Sequence, residues 1–345
     1  MLVRTAHHLP CRPALPHPNA TVKLTTVPNY LRMIVMKKSL ALLGSLPLVL
    51  ILAGCGDSPQ DGGDTTEVIA SFYPFAYVAE QVGGSFVDVS NLTSPGVEPH
   101  DLELKPKQVA AVQEADLVVY EQHFQAAVDE AIDQAGRSSE GTLDIAKTLT
   151  LKPAQDGADE DGHDDGHDHD EADEDPHTWL DPRNMITVTE AVEQKLAAID
   201  PDHASAYAAN AARFTAELTA LDQNFEAGLK SCRTDTIVTS HAAFQYLADR
   251  YGLTQVPIAG IDPSNEPSPS QLADITRLVR AQNITTIFTE ELVSPAIADT
   301  IAAETGARTA TLDPIEGLSD ATKDETYLTL MRKNLQTLRK ANSCS

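Results

Sequence analysis

Short apolar runs alternate with helix-like segments along the chain from residue 67 onward. The runs are rich in Val, Ile and Leu, as buried strands are, and Gly stops several of the segments between them, as it stops helices. In the first half this pattern predicts strands at 68–72, 87–92 and 116–120, an extended segment within 143–151, and helices at 74–82, 106–115 and 124–134. Strands that alternate with helices are typical of an α/β fold with a mostly parallel sheet.

The second half repeats this alternation after two long helical segments. Residues 184–199 and 202–230 are rich in Ala, Leu and Glu and contain few helix breakers. The strands expected after them are 236–239, 284–289 and 309–312, with an extended segment at 256–261, and the helices are 242–251, 270–282, 295–305 and 327–340. We therefore expect two similar α/β lobes with a helical connector, each lobe with its own core, and ligands bound where strands end and loops begin.

The first part of the chain is expected to be a targeting segment. Lys37 and Lys38 precede an apolar stretch, 40–52, that is too short for an ordinary membrane span, and the small residues before Cys55 resemble a bacterial lipobox. Cys55 would then be the lipidated first residue of a mature protein held at the outer face of the cell membrane. The boundaries predicted are a misassigned or disordered extension 1–35, a signal peptide 36–54, a flexible tether 55–66, an N-terminal lobe 67–182, connecting helices 183–230 and a C-terminal lobe 231–345.

Acidic side chains outnumber basic ones, and the net charge of the 345 residues is −26 at pH 7. This balance argues against nucleic acid as a partner. Much of the charge is local, because the stretch 155–176 holds twelve Asp or Glu and no Lys or Arg. A run of this kind cannot form a packed core. Within the acidic loop 155–175, His163, His167 and His169 are expected to hold metal weakly, and a solvated linker is the alternative.

Two of the four cysteines lie in the expected mature domain, Cys232 and Cys344. In an exported protein such a pair is most simply a disulfide, which would tie the end of the last helix to the start of a strand. A metal-ligand role is the alternative, although neither cysteine has a close partner in sequence.

Three histidines that lie far apart in sequence share a short, turn-rich setting: His100, His177 and His241. Local zinc modules hold their ligands close together in sequence, so ligands this distant can meet only in a cleft built by the whole fold. Asp313 occupies the same kind of position, after a predicted strand and before Pro314. Three imidazoles and one carboxylate form a suitable tetrahedral shell for zinc, and imidazole favours Zn²⁺ over Mn²⁺.

The mature chain resembles the metal-binding lipoproteins of zinc and manganese ABC importers, the ZnuA/AdcA/TroA-like cluster. The resemblance rests on residues 96–106 (GVEPHDLELKP), 175–182 (DPHTWLDP), 240–247 (SHAAFQYL) and 311–314 (TLDP). These segments span nearly all of residues 67–340 and occur in the family's order. The resemblance implies that His100, His177 and His241 bind the metal, and that one long helix bridges two pseudo-symmetric lobes.

The resemblance also bears on the metal and on the fourth ligand. Zinc-type members have His at the third position, as this chain does at His241, whereas manganese-type members tend to have Glu there. Zn²⁺ is therefore expected, and Mn²⁺ is the less favoured alternative. Asp313 matches the family's carboxylate position in many members and is the predicted fourth ligand, with Glu316 or a water as the alternative.

The function predicted is that of a monomeric zinc receptor, not an enzyme, which captures Zn²⁺ outside the cytoplasm. It would hand the ion to the permease and ATPase of an ABC importer. The alternatives are a manganese receptor or an adhesin of the same fold, and an exported zinc hydrolase. A hydrolase would need an open coordination position with a carboxylate base beside it, and the sequence contains no His-Glu-x-x-His pattern.

Overall fold

The computed structural model describes residues 65–155 and 174–345. The expected signal peptide, the lipidation site Cys55 and nearly all of the tether lie outside these ranges. Thr66, assigned to the tether, is instead the buried first residue of the first strand. The N-terminal lobe consists of β1 (Thr66–Ala70), α1 (Tyr73–Gly83), β2 (Val87–Asn91), α2 (Pro106–Glu114), β3 (Leu117–Tyr120), α3 (Ala126–Ala135) and β4 (Thr142–Asp144).

A short antiparallel strand pair and two long helices follow the first lobe. The pair is β5 (Lys152–Pro153) with β6 (Glu174–Asp175), and the helices are α4 (Pro182–Ile199) and α5 (Ala204–Leu229). Asp181 caps α4 by accepting a hydrogen bond from the backbone of Arg183, and Pro182 occupies the first helical turn, where a missing N–H costs nothing. No helix in the described ranges is long and apolar enough to cross a membrane.

The C-terminal lobe repeats the architecture of the first. It consists of β7 (Thr236–Thr239), α6 (Gln245–Tyr251), β8 (Thr254–Pro257), α7 (Pro269–Ala281), β9 (Thr286–Thr289), α8 (Ala296–Thr305), β10 (Arg308–Thr311) and α9 (Tyr327–Ala341). Both four-stranded sheets are parallel throughout. The strand order is β2-β1-β3-β4 in one and β8-β7-β9-β10 in the other, so the two lobes share one topology and the predicted fold class is confirmed.

Helix α5 is the bridge between the lobes. It has 26 residues, or about 39 Å at 1.5 Å per residue. It packs against α1 and α4 on the N-terminal side and against α6 and α9 on the C-terminal side. Its buried face includes Phe214, Leu218 and Phe225, all with no exposed surface.

The sequence predicted a separate core for each lobe, whereas in the structure the two lobes share their largest hydrophobic cluster. Strand residues alternate between two faces, and the outward faces form separate clusters, with Val118 in the first lobe and Val238 in the second. The inward faces share a single cluster, which joins Val119 of β3 to Phe288 of β9 through the α5 aromatic residues. Replacing a buried Phe of this cluster by Ala would cost about 3 to 5 kcal/mol. Because the cluster contains side chains of both lobes, the stabilities of the lobes are coupled through this shared core.

The expected disulfide between Cys232 and Cys344 is present in the structure. It joins the segment after α5 to the end of the chain beyond α9, with 112 residues of sequence separation. Closing a loop of about 100 residues in the unfolded chain contributes about 4.7 kcal/mol in the chain-entropy model. The disulfide therefore stabilises the C-terminal lobe at a point where two helix ends meet.

Candidate metal centre

Four side chains that could hold a metal converge between the carboxyl edges of the two sheets. His100 lies in the loop between β2 and α2, His177 directly after β6, His241 directly after β7, and Glu316 in the loop after β10. One ligand atom of each lies within 4.8 Å of all the others. Carboxyl ends of parallel strands are the usual binding edge of α/β sheets, and here the two edges face each other.

The spacing of these atoms matches a tetrahedral shell. The Nε2 atoms of His177 and His241 are 3.2 Å apart. Oε1 of Glu316 lies 3.3 Å from Nε2 of His177, 3.2 Å from Nε2 of His241 and 3.6 Å from Nε2 of His100. A tetrahedron with metal–ligand bonds of about 2.0 to 2.1 Å has edges of about 3.3 to 3.4 Å. The donor set can therefore close around one zinc-sized ion with little movement.

Carboxylates orient two of the rings. Nδ1 of His177 lies 2.7 Å from Oδ1 of Asp175, and Nδ1 of His241 lies 2.8 Å from Oε1 of Glu290. A carboxylate partner holds the ring proton on Nδ1, which leaves the Nε2 lone pair free to face the centre. Both carboxylates also accept a hydrogen bond from the backbone N–H of the histidine they orient. Gln245, with its amide nitrogen turned towards Asp175, donates to Oδ2 of that residue at 2.9 Å.

His100 is held differently. In residues 65–155 and 174–345, no carboxylate hydrogen-bonds its Nδ1. Its ring instead packs edge-on against Phe124, with centroids 4.7 Å apart at 81°. The nearby Glu98 accepts a hydrogen bond from the backbone N–H of Asp101 and so stabilises the turn.

The pKa values reflect this difference. Burial disfavours the charged form of all three imidazoles. For His177 and His241 the neighbouring carboxylates outweigh burial, so the pKa of His177 is raised and that of His241 is raised well above 6.5. For His100 burial dominates and the pKa is lowered. Burial opposes ionisation of Glu316, but hydrogen bonds from the three rings hold its pKa well below the ordinary value.

Trp179, the only tryptophan of the chain, links two ligand loops. Its ring lies 5.2 Å from that of His177, and its Nε1 donates to the backbone oxygen of Pro314 at 2.7 Å. Its own backbone oxygen accepts a hydrogen bond from Tyr327. The residue is fully buried, so it positions the His177 loop against the loop that carries Glu316.

The prediction of Asp313 as the fourth member of the shell needs correction, because Glu316 occupies that place. Oδ1 of Asp313 accepts a hydrogen bond from the backbone N–H of Ile315, and its backbone exchanges two hydrogen bonds with Asn334 of α9. Ile315 has φ 59°, a left-handed turn that redirects the chain. The turn carries Glu316 into the centre, while burial raises the pKa of Asp313 to about 7.

Two residues that orient the histidine rings, Asp175 and Glu290, were not predicted from the sequence. Asp175 is the last residue of β6, two residues before His177, and Glu290 is the residue after β9. For Glu290 the sequence offered a signal, because this acidic residue lies at the carboxyl end of a parallel strand in the sheet that also carries His241. The predicted helix at 242–251 also begins late, at Gln245, because tertiary contacts hold the preceding residues.

The other two histidines of the described ranges, His123 and His203, lie outside the cluster. His203 stacks on Phe86 at 4.2 Å and pairs with Asp200, far from the ligand loops. His123 is exposed and lies in the loop after β3. His163, His167 and His169 fall outside the described residues.

Sequence comparison places this chain in a known family. The family described as "ZnuA: Zinc-uptake complex component A periplasmic" matches residues 68–341. The chain belongs to this family. The chain is 37% identical over 308 residues to the zinc-binding lipoprotein AdcA of Streptococcus pneumoniae TIGR4, covering 88% of this chain and 61% of that protein. It therefore spans about three fifths of the AdcA relatives that it matches.

Other relatives match over nearly their whole length. The high-affinity zinc uptake system protein ZnuA of Bacillus subtilis is 34% identical over 298 residues, which cover 84% of this chain and 93% of that protein. The Zn(II)-bound ZnuA-like domain of S. pneumoniae AdcA superimposes with a TM-score of 0.68 at 33% identity, covering 81% of this chain and 99% of that one. The laminin-binding protein Lmb of Streptococcus agalactiae gives 0.70 at 35% identity, with 80% and 99% covered.

Proposed function

We propose that this protein binds one Zn²⁺ between its lobes through His100, His177, His241 and Glu316. The observation that carries the proposal is the convergence of three imidazole nitrogens and one carboxylate oxygen, from four separate loops, at the spacing of a tetrahedral shell. Two of the rings turn Nε2 lone pairs towards each other at 3.2 Å. One cation can bind both nitrogens at this separation.

The donor set favours zinc over manganese. Three nitrogens and one oxygen suit a tetrahedral Zn²⁺, whereas Mn²⁺ favours more oxygen ligands and higher coordination. The AdcA and ZnuA relatives, which are named for zinc binding and zinc uptake, and the Zn(II)-bound structure support the same choice.

The proposed role is binding and delivery without bond making or breaking. Four protein ligands fill a tetrahedral shell and leave no position for an activated water, unlike the three-ligand sites of zinc hydrolases. The zinc-uptake family and the lipoprotein relatives support a receptor at the outer face of the cell membrane, anchored through Cys55, that delivers Zn²⁺ to an ABC importer's permease and ATPase. His163, His167 and His169 would add weak accessory binding.

A metal titration of the lipid-free mature chain tests the proposal. Metal-free protein should bind one Zn²⁺ tightly and retain it against equimolar Mn²⁺. Deleting residues 156–173 should lower the stoichiometry under excess zinc and leave the single tight site unchanged. Retention of Mn²⁺ in the competition, or loss of the tight site on deletion, would contradict the assignment.

Adhesion is a second candidate role, supported by the laminin-binding relatives of the same fold. Binding of the purified chain to immobilised laminin, with and without zinc, tests it. An absence of saturable binding would remove this candidate and leave the zinc proposal intact.

A further inference from the structure

Solvent reaches the metal centre on one side only among the described residues. The side chains of His177 and His241 have no exposed surface and Glu316 has 1%, whereas His100 retains 7%. An ion that enters or leaves the cluster without rearrangement of the buried loops must therefore pass His100.

A small cavity adjoins His100 on that side. It has a volume of about 60 Å³, and its lining includes His100, His123, Glu174 and Ile261. Both lobes contribute, because Ile261 follows β8, whereas His100 and His123 lie in loops of the N-terminal lobe and Glu174 is the first residue of β6. At about 30 Å³ for each water this volume holds about two waters, enough for a partly hydrated divalent cation. We call it the mouth cavity.

The lining of the mouth cavity offers metal ligands. Two imidazoles and one carboxylate are donors that Zn²⁺ accepts. His123 and Glu174 are exposed, in contrast to the ligands of the cluster. An ion held there keeps some of its water, so binding is weaker and exchange is faster than in the buried cluster.

The backbone at His123 has an uncommon conformation that places it at this opening. Its φ is 70°, in the left-handed region that residues other than Gly adopt rarely. The carboxylate of Asp129 holds the turn by accepting a hydrogen bond from the backbone N–H of His123 at 2.9 Å. Unfavourable conformations that the surroundings maintain concentrate at functional positions.

We propose that His100, His123 and Glu174 form a transient zinc site at the mouth cavity, through which the ion reaches and leaves the buried cluster. The proposal rests on zinc being the ligand of that cluster. His100 belongs to both sites. As it moves inward, the ion exchanges His123, Glu174 and its remaining waters for His177, His241 and Glu316, and the released waters return to solvent.

Zinc-binding kinetics distinguish this role from a structural one. The variants are His123→Asn and Glu174→Gln in the full mature chain; Asn is chosen because it tolerates the left-handed conformation at this position. Stopped-flow mixing of metal-free protein with Zn²⁺, followed by Trp179 fluorescence, gives the association rate. Transfer of Zn²⁺ to excess chelator gives the dissociation rate.

A site on the path changes both rates and leaves the equilibrium unchanged. We expect each variant to lower the association and dissociation rates together, by about tenfold, the lower end of the range in which local charge accelerates capture. The dissociation constant should stay the same. His203→Asn, on the helical hairpin far from the cleft, is the matched control and should change neither rate.

The two possible failures have different signatures. Unchanged rates in both variants would overturn the mouth site while tight zinc binding by the wild type persists. A weaker equilibrium affinity with faster dissociation would also overturn it, because His123 would then support the buried cluster. Absence of tight zinc binding in the wild type would instead overturn the proposed function.

Discussion

His241 and His100 direct the same ring nitrogen at Glu316 but are held in different ways. His241 is fully buried, and both its Nδ1 and its backbone N–H contact Glu290. His100 packs on Phe124 at the edge of the mouth cavity, and its loop has no regular secondary structure. The contrast indicates that the histidines have different roles. His177 and His241 form a pre-organised half of the shell, and His100 closes it on the side where the ion passes.

Removing one ligand from each half gives the largest expected difference. His241→Ala should weaken zinc affinity by more than about a hundredfold, because even the loss of a carboxylate that orients a ligand costs about tenfold to a hundredfold. His100→Ala should cost less, since water from the mouth cavity can take the vacant position. Chelator competition measures both affinities.

Asp313→Asn is the control for this pair, because Asp313 lies outside the cluster. The zinc affinity of this variant should stay close to that of the wild type. Thermal unfolding of the metal-free variants checks that each remains folded. A larger loss for His100→Ala than for His241→Ala would reverse the proposed division.

Changing the carboxylates that orient the rings gives the next largest effect. Glu290→Gln and Asp175→Asn should each weaken zinc affinity by about tenfold to a hundredfold, because they support ring orientation and basicity. Glu98→Gln is the counterpart for His100 and should have little effect, since Glu98 bonds the backbone of its own turn. Isothermal titration measures the three variants, and equal losses in all three would remove the contrast.

Trp179→Phe tests how the pre-organised half is positioned. The substitution keeps the buried ring but removes the hydrogen bond to Pro314, leaving a buried acceptor unsatisfied at a cost of about 1 to 3 kcal/mol. We expect lower stability of the metal-free protein and a severalfold weaker zinc affinity. Unfolding in denaturant and zinc titration measure the two effects, and a stability loss with fully retained affinity would show that the link does not position Glu316.

The smallest expected effect is on the pH dependence of zinc affinity, to which His177 and His241 should contribute more than His100. Protons compete with zinc for His177 and His241, whose pKa values are raised, so affinity should fall as pH drops from about 8 to about 5.5. His100, with its lowered pKa, should compete little in this range. Glu290→Gln removes a cause that raises the pKa of His241, so its affinity should begin to fall at a lower pH than that of the wild type. An identical pH profile in this variant would contradict the assignment.

Much of the fold was predictable from the sequence because strands and helices leave local patterns. The expected strand at 236–239 coincides with β7, and helix α4 begins two residues before the predicted start at 184. The shared inner core was not predictable, since periodicity shows which residues are buried and not which cluster they join. The choice between Asp313 and Glu316 depended on a left-handed turn at Ile315, a non-Gly residue for which local sequence carries no signal.

By itself, the sequence determined the α/β alternation, the two lobes and the three histidines of the site, because each of these depends on local pattern or on motifs of adjacent residues. Only the tertiary structure decided the fourth member of the cluster, the carboxylates behind two of the rings and the cavity beside the third. Those features depend on side chains from separate loops that come within hydrogen-bond distance of one another, and distances of that kind exist only in the folded chain.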